Sequence, residues 1–220
     1  MNPEKLTGKK KSSPDSAEEK YRLLAMYEIE NDYYEKGLEL VAGCDEAGRG
    51  PLAGPVVAAA VILPPHCLIP QLNDSKKLTE KRRYALEPMI KEKAIAWAVA
   101  RIEAEEIDEI NILEASLKAM AQALESLTTP AEVALIDGPY GLHQDKIPQE
   151  AIVKGDSCSA SIAAASILAK TERDRIMTEY DALYPQYGFK KHKGYPTKAH
   201  REAVKTYGFS AIHRKTFKVK

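Results

Sequence analysis

The sequence contains little cysteine and no long apolar stretch. Three cysteines, Cys44, Cys67 and Cys158, occur among 220 residues, and none belongs to a C-x-x-C pair. This odd number of separated cysteines argues against a disulfide framework or a zinc site and favours reduced thiols. The longest apolar run covers only residues 56–63, whereas a membrane-spanning helix needs about 20 apolar residues. Because the polar N-terminal residues also lack the apolar core of a signal peptide, we expect a cytoplasmic protein.

Several motifs of common enzyme classes are also missing. The chain has no G-x-x-x-x-G-K-[ST] loop and no G-x-S-x-G elbow, and its five histidines form neither an H-E-x-x-H nor an H-x-x-x-H pair. Gly48, Gly50 and Gly54 do not have the G-x-G-x-x-G spacing, and they precede an apolar run bounded by prolines where a dinucleotide-binding fold needs a helix. These absences argue against a P-loop enzyme, a serine hydrolase, histidine-based metal chemistry and dinucleotide binding.

Basic residues are concentrated at one end of a chain that is neutral as a whole. Lys and Arg number 32, as do Asp and Glu, yet residues 187–220 contain ten Lys or Arg and a single acid, Glu202. The resulting net charge of +9 is typical of a segment that contacts phosphates. We therefore expect six of its side chains to follow a nucleic-acid backbone: Lys190, Lys191, Lys193, Lys198, Arg201 and Lys205.

The apolar pattern predicts an α/β fold, with a mixed sheet flanked by helices on both faces. Short runs rich in Val, Ile and Ala predict strands over residues 38–44, 55–63, 94–102, 132–136 and 150–153, and helices are predicted over 16–35, 79–93, 103–127 and 159–180. Ser16 and Glu19 form a capping box, and Pro88 should kink or break its helix. We divide the chain into an N-terminal extension (1–37, a disordered tail to residue 15 and then a helix), a core (38–183) and a basic, helical C-terminal region (184–220).

Carboxylates follow three of the predicted strands. Asp45 and Glu46 end the first and precede a glycine-rich turn, Asp137 ends the fourth, and Asp156 follows the fifth. Ligands bind beyond the carboxyl ends of strands in open α/β sheets, and clustered carboxylates repel one another unless a cation lies between them. Oxygen ligands favour Mg²⁺ or Mn²⁺ over zinc, and two such ions about 4 Å apart can promote in-line displacement at phosphorus. The alternative is that these are solvated acids on the surface.

Seven motifs in order give the chain its resemblance to a known family. It resembles ribonuclease HII, the type-2 ribonucleases H, over about residues 38–217. The motifs are Asp45-Glu46-Ala-Gly48-Arg49-Gly50-Pro-Leu-Ala-Gly-Pro, Asn73-Asp74-Ser75-Lys76-Lys77-Leu78, Ile136-Asp137-Gly138, Val153-Lys154-Gly155-Asp156, Ile162-Ala-Ala-Ala-Ser-Ile-Leu-Ala-Lys170-Thr-Glu-Arg-Asp174, His192-Lys193-Gly194-Tyr195-Pro-Thr-Lys198 and Ile212-His213-Arg214-x-x-Phe217.

The resemblance implies a fold and an activity. The fold is the ribonuclease H-like α/β sheet with a small helical C-terminal region. The activity is endonucleolytic cleavage of RNA in RNA–DNA hybrids and on the 5′ side of ribonucleotides embedded in DNA, which leaves 5′-phosphate and 3′-hydroxyl ends and serves ribonucleotide removal in DNA replication and repair. The partners would be RNA–DNA hybrid and ribonucleotide-containing DNA duplex, with no membrane, and we expect a monomer.

The resemblance also assigns site residues. The catalytic, metal-binding carboxylates would be Asp45, Glu46, Asp137 and Asp156, holding two Mn²⁺ or Mg²⁺ ions, with Asp174 as the rival for the fourth place. The predicted substrate-binding residues are Gly48, Arg49 and Gly50 at the 2′-hydroxyl, Tyr195 opposite them on the sugar that follows the ribonucleotide, and Ser75, Lys76, Lys77 and Lys193 at phosphates. Glycines suit the first role because they permit close backbone approach.

Three alternatives remain open from the sequence. A hybrid-binding protein could keep the fold without turnover, and a metal-dependent DNA nuclease or integrase-like enzyme could use the same carboxylates without a reader of the 2′-hydroxyl. The related ribonuclease HIII is disfavoured, because 37 residues are too few for its additional N-terminal domain. The extension over residues 1–37 either docks on the core or adds substrate affinity.

Overall fold

A five-stranded mixed sheet forms the centre of the molecule. The computed structural model describes residues 16–219. The strands lie in the order β3-β2-β1-β4-β5, with β2 antiparallel to β1 and β3, and β4 parallel to β1 and β5. They are β1 (Val41–Ala47), β2 (Val56–Ile62), β3 (Ala96–Ile102), β4 (Val133–Asp137) and β5 (Gln149–Ile152). The predicted mixed sheet is confirmed.

Helices cover both faces of this sheet, as predicted. The α-helices are α1 (Ala17–Ala25), α2 (Glu28–Tyr34), α3 (Glu80–Lys93), α4 (Ala104–Ile110), α5 (Ile112–Glu125), α6 (Ala160–Leu183), α7 (Phe189–His192) and α8 (Lys198–Tyr207). Alternate residues of the fully buried β2 separate two apolar clusters, with Ala58 on the α5 side and Ala59 on the α6 side. Helix α6 lies directly on β1, because a Cβ atom at Gly43 would be 2.2 Å from the Ile162 nitrogen.

The predicted N-terminal helix is divided in two and packs on the core. Ser16 caps α1 by accepting a hydrogen bond from the Glu19 nitrogen at 3.1 Å, as the capping box predicted. The break after α1 leaves the Met26 carbonyl oxygen free to accept from the Ala160 nitrogen at 2.8 Å, at the start of α6. Tyr27, at the break, is buried and donates through its hydroxyl to the Cys67 carbonyl oxygen at 2.7 Å. The predicted disordered tail, residues 1–15, lies outside the described residues.

Two other helices differ from the predictions. Helix α3 runs through Pro88 without interruption, so a break there was the wrong expectation. The helix predicted over residues 103–127 is two helices, α4 and α5, separated at Asn111. Asn111 has a positive φ of 69° with an extended ψ of 166°, which ends α4, and its side-chain oxygen accepts from the Leu113 nitrogen at 2.9 Å to begin α5.

The C-terminal region is helical and packs against the end of α6. Tyr187 and Phe189 form a small apolar cluster with Met177 of α6 and Ala53 of the turn after β1. This cluster brings the segment around Tyr195 next to the turn that follows the carboxylates of β1. Over residues 16–219, no helix has both the length and the apolar composition required to cross a membrane.

Candidate active site

Three carboxylates from separate parts of the chain meet at one edge of the sheet. Ligand oxygens of Asp45, Asp137 and Asp156 all lie within 4.8 Å of one another. Cys44 pairs with Ile136 across the parallel strands β1 and β4, so the aspartates that follow them are neighbours. Asp156 arrives in the 3₁₀ turn Gly155–Ser157 after β5, and its backbone nitrogen donates to Asp137 Oδ1 at 3.4 Å. The convergence expected from the strand ends is therefore present.

Glu46 lies beside this group without belonging to it. The first strand has the predicted length but begins and ends three residues later than predicted, so it includes both Asp45 and Glu46, which pair with Ala59 and Ala58 of β2. The Glu46 carboxylate is 3.5 Å from the Arg49 guanidinium and lines the same cleft as Asp45 and Asp137. It therefore borders the cluster on the side of the glycine-rich turn.

Burial and mutual repulsion disfavour the charged forms of the clustered carboxylates. Burial raises the pKa of Asp45 well above its usual range, and the charges of Glu46 and Asp137 add to this effect. Burial also raises the pKa of Glu46 to about 7, although Arg49 opposes the shift, and it raises the pKa of Asp137, with a contribution from Asp156. A purely carboxylate donor set of this kind fits a hard divalent cation such as Mg²⁺ or Mn²⁺.

Lys76 supplies the positive charge nearest to the three aspartates. Its Nζ donates to Asp156 Oδ2 at 2.8 Å, while its side chain is 74% exposed. Burial lowers the pKa of Lys76, but the hydrogen bond to Asp156 and the charge of Asp45 outweigh this and raise it overall. The exposed stem leaves the ammonium group room to move away when another cation binds.

Asp174 is placed apart from the carboxylate cluster. It lies on α6, is 1% exposed, and forms ion pairs with Arg83 at 3.0 Å and Lys170 at 2.6 Å. The structure thus groups Asp156, and not Asp174, with Asp45 and Asp137. Arg173 and Arg175, on either side of Asp174 in the sequence, contact backbone carbonyl oxygens and glutamates, respectively.

Two buried arginines donate hydrogen bonds to the backbone of the turn that begins with residues 48–50. The Arg214 guanidinium donates to the carbonyl oxygens of Gly48 at 2.6 Å, Arg49 at 3.0 Å and Gly54 at 2.8 Å. Arg173 donates to carbonyl oxygens further along the same turn and to that of Lys193 at 3.0 Å. Both arginines occur in the recognised motifs, but sequence reasoning gave neither of them this role. They leave Arg49 and Gly50 exposed toward the cleft.

Tyr195 faces this turn from the C-terminal region. A Cβ atom on Gly50 would lie 3.7 Å from Tyr195 Cε1, and the tyrosine remains 43% exposed. The Leu52 nitrogen donates to the Gly194 carbonyl oxygen at 2.8 Å, which joins the two segments. The turn and the tyrosine line a cleft of about 340 Å³, whose walls are Asp45, Glu46, Ala47, Gly48, Arg49, Gly50, Ser75, Lys76, Asp137, Ser166, Lys170 and Tyr195.

The remaining predicted substrate residues divide into two groups. Ser75 and Lys76 line the cleft, and Ser75 Oγ is 2.7 Å from Ser166 Oγ. Lys77 lies outside the lining, 4.0 Å from Asp74 and 57% exposed. Lys193 is largely buried, with its Nζ 3.5 Å from Glu80, so its side chain is directed away from the cleft.

Comparisons with known proteins agree with this geometry. The sequence profile of the family described as Ribonuclease HII matches residues 42–220. A Ribonuclease HII of Caldanaerobacter subterraneus subsp. tengcongensis is 55% identical over 196 residues, covering 89% of this chain and 81% of the relative. The crystal structure of ribonuclease H2 from Pyrococcus horikoshii is 29% identical with a TM-score of 0.68, covering 81% of this chain and 94% of that one. A Bst ribonuclease HIII in complex with Mn²⁺ shares the fold at 19% identity, with a TM-score of 0.61 over 80% of this chain and 66% of its own.

Proposed function

The chain belongs to the ribonuclease HII family, endonucleases that hydrolyse the RNA strand of RNA–DNA hybrids, and we propose that it cuts 5′ of ribonucleotides embedded in DNA. Two divalent ions would assist the reaction, which would leave 5′-phosphate and 3′-hydroxyl ends. The observation that carries this proposal is that one cleft contains Asp45, Asp137 and the 48–50 turn. The residues proposed for chemistry at phosphorus therefore lie in the same cleft as those proposed to recognise the 2′-hydroxyl.

The carboxylates would divide between two ions, Mn²⁺ or Mg²⁺. Asp45 is the shared ligand in this proposal, because it lies between Glu46 on its own strand and the pair formed by Asp137 and Asp156. Asp137 and Asp156 would complete the site nearest the attacking water, and Glu46 the site nearest the leaving 3′-oxygen. Such ions lower the pKa of a bound water and neutralise charge that develops on the phosphate. Burial of Asp45 and Asp156 limits the access of competing water to this charge.

The 48–50 turn would read the 2′-hydroxyl. A hydroxyl at this position is what distinguishes RNA from DNA, and a glycine turn lets backbone groups approach it closely. Arg214 fixes the turn through three carbonyl oxygens, so the groups that face the cleft are held in place before substrate arrives.

Tyr195 would recognise the junction between RNA and DNA. Its exposed ring lies across the cleft from Gly50, where it can pack on the sugar that follows the ribonucleotide. A 2′-hydroxyl on that second sugar would crowd the ring, so a deoxyribose is favoured there. This preference would place the cut on the 5′ side of the last ribonucleotide.

Every residue named for these roles comes from one chain, and we therefore propose that the enzyme acts as a monomer. On the substrate, Ser75, Lys76 and Lys77 would contact phosphates from one side of the cleft. The exposed lysines of α7 and α8 would continue the phosphate contacts beyond Tyr195. Duplexes that carry RNA in one strand, either as a run or as a single ribonucleotide, are the partners this surface suits.

A nicking assay on three matched duplexes tests the proposal. The substrates are a DNA duplex with one ribonucleotide, a continuous RNA–DNA hybrid and an all-DNA duplex, each with Mg²⁺, Mn²⁺ or a chelator. We expect cleavage of the first two with a metal and none of the third, with a 5′-phosphate on the downstream product. Asp45→Asn should abolish cleavage, whereas Asp145→Asn, at an exposed aspartate outside the cleft, should not.

The other outcomes identify the rival functions. Tight binding of hybrid without cleavage in either metal would indicate a non-catalytic binding protein. Equal cleavage of all three duplexes would indicate a DNA nuclease that ignores the 2′-hydroxyl. Retained cleavage by Asp45→Asn would remove the carboxylate cluster from the mechanism.

A further inference from the structure

Two buried histidines connect the backbone of Tyr195 to the C-terminal loop. His200 lies in the first turn of α8 and His213 in the loop that follows this helix, and they are 0% and 1% exposed. Their Nε2 atoms are 3.0 Å apart. His200 Nδ1 is 3.0 Å from the Tyr195 carbonyl oxygen, and His213 Nδ1 is 2.9 Å from the Ser210 nitrogen. The four residues form one continuous chain of hydrogen bonds, which leads from Tyr195 in the cleft to Ser210 outside its lining.

The two ends of this chain determine where its protons lie. A carbonyl oxygen only accepts, so His200 must carry its proton on Nδ1 and donate to Tyr195. A backbone N–H only donates, so His213 Nδ1 must be the unprotonated acceptor for the Ser210 nitrogen. The Ser210 hydroxyl, 2.7 Å from the same Nδ1, must then also donate to it, and the His213 proton lies on Nε2. His213 Nε2–H then donates to the free lone pair of His200 Nε2. Starting from Tyr195 or from Ser210 gives the same direction for the hydrogen bond between the two Nε2 atoms, so the proton assignment is consistent.

This arrangement requires both imidazoles to be neutral. A second proton on His200 would bring two N–H groups together at 3.0 Å, and one on His213 would oppose the Ser210 N–H. Burial lowers the pKa of His200, and burial with the neighbouring His200 lowers that of His213 to about 4. The other titratable rings in contact with the pair are His192, stacked on His200 at 4.5 Å, and Tyr187, 5.0 Å from His213.

We propose that His213 and His200 form a relay of fixed tautomers that positions Tyr195 against the 48–50 turn. The inference rests on the proposed role of Tyr195 at the junction and names the residues that orient it. The Tyr195 carbonyl also accepts from the Thr197 nitrogen at 2.8 Å, but that bond lies within the same turn. The bond from His200 ties the peptide to α8, so its loss allows the turn that carries the ring to reorient.

Substitution of the relay should change substrate preference more than overall activity. His200→Phe keeps a ring beneath His192 and removes both nitrogens. We expect it to slow cleavage at a single embedded ribonucleotide by roughly 3- to 10-fold, with a smaller effect on continuous hybrid. His200→Asn retains a donor near the position of Nδ1 and should restore most of the loss. Equal loss on both substrates, or no rescue by Asn, would indicate a structural role and overturn the proposal.

A matched control removes a different hydrogen bond from the same buried cluster. Tyr187→Phe deletes the hydroxyl that donates to the Gly208 carbonyl oxygen at 2.9 Å and leaves the relay intact. It should lower thermal stability without changing the ratio of the two cleavage rates. A changed ratio in this variant would show that any damage to the cluster has the same effect, and this would count against the relay.

A measurement on the unsubstituted protein tests the relay without any activity. In ¹⁵N-histidine NMR of the full chain, we expect His200 as the Nδ1–H tautomer and His213 as the Nε2–H tautomer, with neither titrating between about pH 6 and 8. The reverse tautomers, or titration in that range, would overturn the relay. Tyr195→Ala separates the relay from the junction role of Tyr195. If Tyr195→Ala slows cleavage at a single ribonucleotide more than cleavage of continuous hybrid, and His200→Phe does not, the relay alone is rejected. If Tyr195→Ala slows both reactions equally, the junction role is rejected.

Discussion

The side chain of Arg173 occupies the space beside Gly48 so closely that a Cβ atom on this glycine would lie 2.1 Å from Arg173 Nε. Gly48 also has a φ of 104°, in the left-handed region that favours glycine. Arg173 is itself fully buried and fixed by backbone carbonyl oxygens, so it cannot swing aside. The turn proposed to face the 2′-hydroxyl and its buried support are therefore built around the absence of a side chain at residue 48.

Gly48→Ala should damage both stability and cleavage. The added methyl group clashes with Arg173 and strains the backbone, so we expect a loss of about 1–3 kcal/mol in the free energy of unfolding and a fall of at least about 10-fold in kcat/KM. Urea unfolding and the nicking assay measure these. Gly37→Ala is the matched control, because Gly37 has a φ of 81° but no atom within 4 Å of its Cβ position. Equal effects of the two substitutions would show that backbone strain alone is responsible.

Glu30 gives the protein a pH dependence that does not involve the active site. It is 0% exposed and accepts from Ser159 Oγ at 2.7 Å and the Ser161 nitrogen at 3.0 Å, at the start of α6. Burial raises its pKa above the usual 4.5, although these two hydrogen bonds oppose the shift. Between the unfolded and the folded pKa the unfolded chain binds fewer protons, so stability falls as pH rises through this interval.

Glu30→Gln should remove this fall, because glutamine stays neutral and keeps an acceptor oxygen. The free energies of unfolding at pH 4.5 and at pH 7.5 should then differ less than they do in the unsubstituted protein. Glu30→Ala instead leaves the Ser159 hydroxyl and the Ser161 N–H without their acceptor and should destabilise at both pH values by a similar amount. Glu28→Ala, at an exposed residue of the same helix, is the control. An unchanged pH profile in Glu30→Gln would show that Glu30 remains ionised in the folded state.

The aspartate cluster and the contacts of Glu30 differ in how well the sequence could predict them. Asp45 and Asp137 lie near the ends of their strands and Asp156 follows one, and strand order brings their positions together, so local patterns were sufficient. Docking of the N-terminal segment was one of the two expectations, but the contacts by which it docks were not predictable, since they depend on a break at Tyr27 that directs Glu30 toward α6. Local periodicity carries no signal for such a tertiary contact.

Buried polar residues were the second kind of feature that the sequence did not reveal. Arginine is rarely fully buried and histidine is buried to an intermediate degree, yet Arg173, Arg214, His200 and His213 are each at most 1% exposed here. The arginines contact backbone carbonyl oxygens of distant segments, and the histidines contact each other and backbone groups of Tyr195 and Ser210. Local periodicity does not reveal such contacts. Asn111 is a similar case, because a helix-like composition concealed the residue of positive φ that divides α4 from α5.

Tyr195→Ala should slow cleavage at a single embedded ribonucleotide by roughly 5- to 150-fold, the range that loss of one stacking contact implies. Tyr195→Phe keeps the ring and should cost less. Continuous hybrid should be less affected than the junction, because it offers no deoxyribose after each ribonucleotide. Tyr21→Ala, at a tyrosine of α1 that is 75% exposed, should change neither rate. Single-turnover rates on both substrates provide the measurement, and equal losses would show that Tyr195 does not read the junction.

The slope of log affinity against log salt should report how many phosphates the basic region contacts. Of the six predicted side chains, Lys193 is paired with Glu80, whereas Lys190, Lys191, Lys198 and Lys205 are exposed. Four phosphate contacts imply that log affinity falls with log salt at a slope of about −3 to −4. Replacing both Lys190 and Lys191 with Gln should make the slope shallower by about 2 and weaken binding to hybrid and DNA duplex alike.

The control for this measurement is Lys146→Gln, at a lysine 77% exposed and 3.0 Å from Glu125, outside the cleft and the basic region. This substitution should leave the slope unchanged, because the charge of Lys146 is already paired with that of Glu125 and lies away from the lysines proposed to contact phosphates. Titrations should use the Asp45→Asn protein, so that binding is measured without turnover. A slope near zero in the parent would mean that the lysines of α7 and α8 do not contact phosphates. A slope reduced equally by Lys146→Gln would mean that overall charge is responsible rather than this surface.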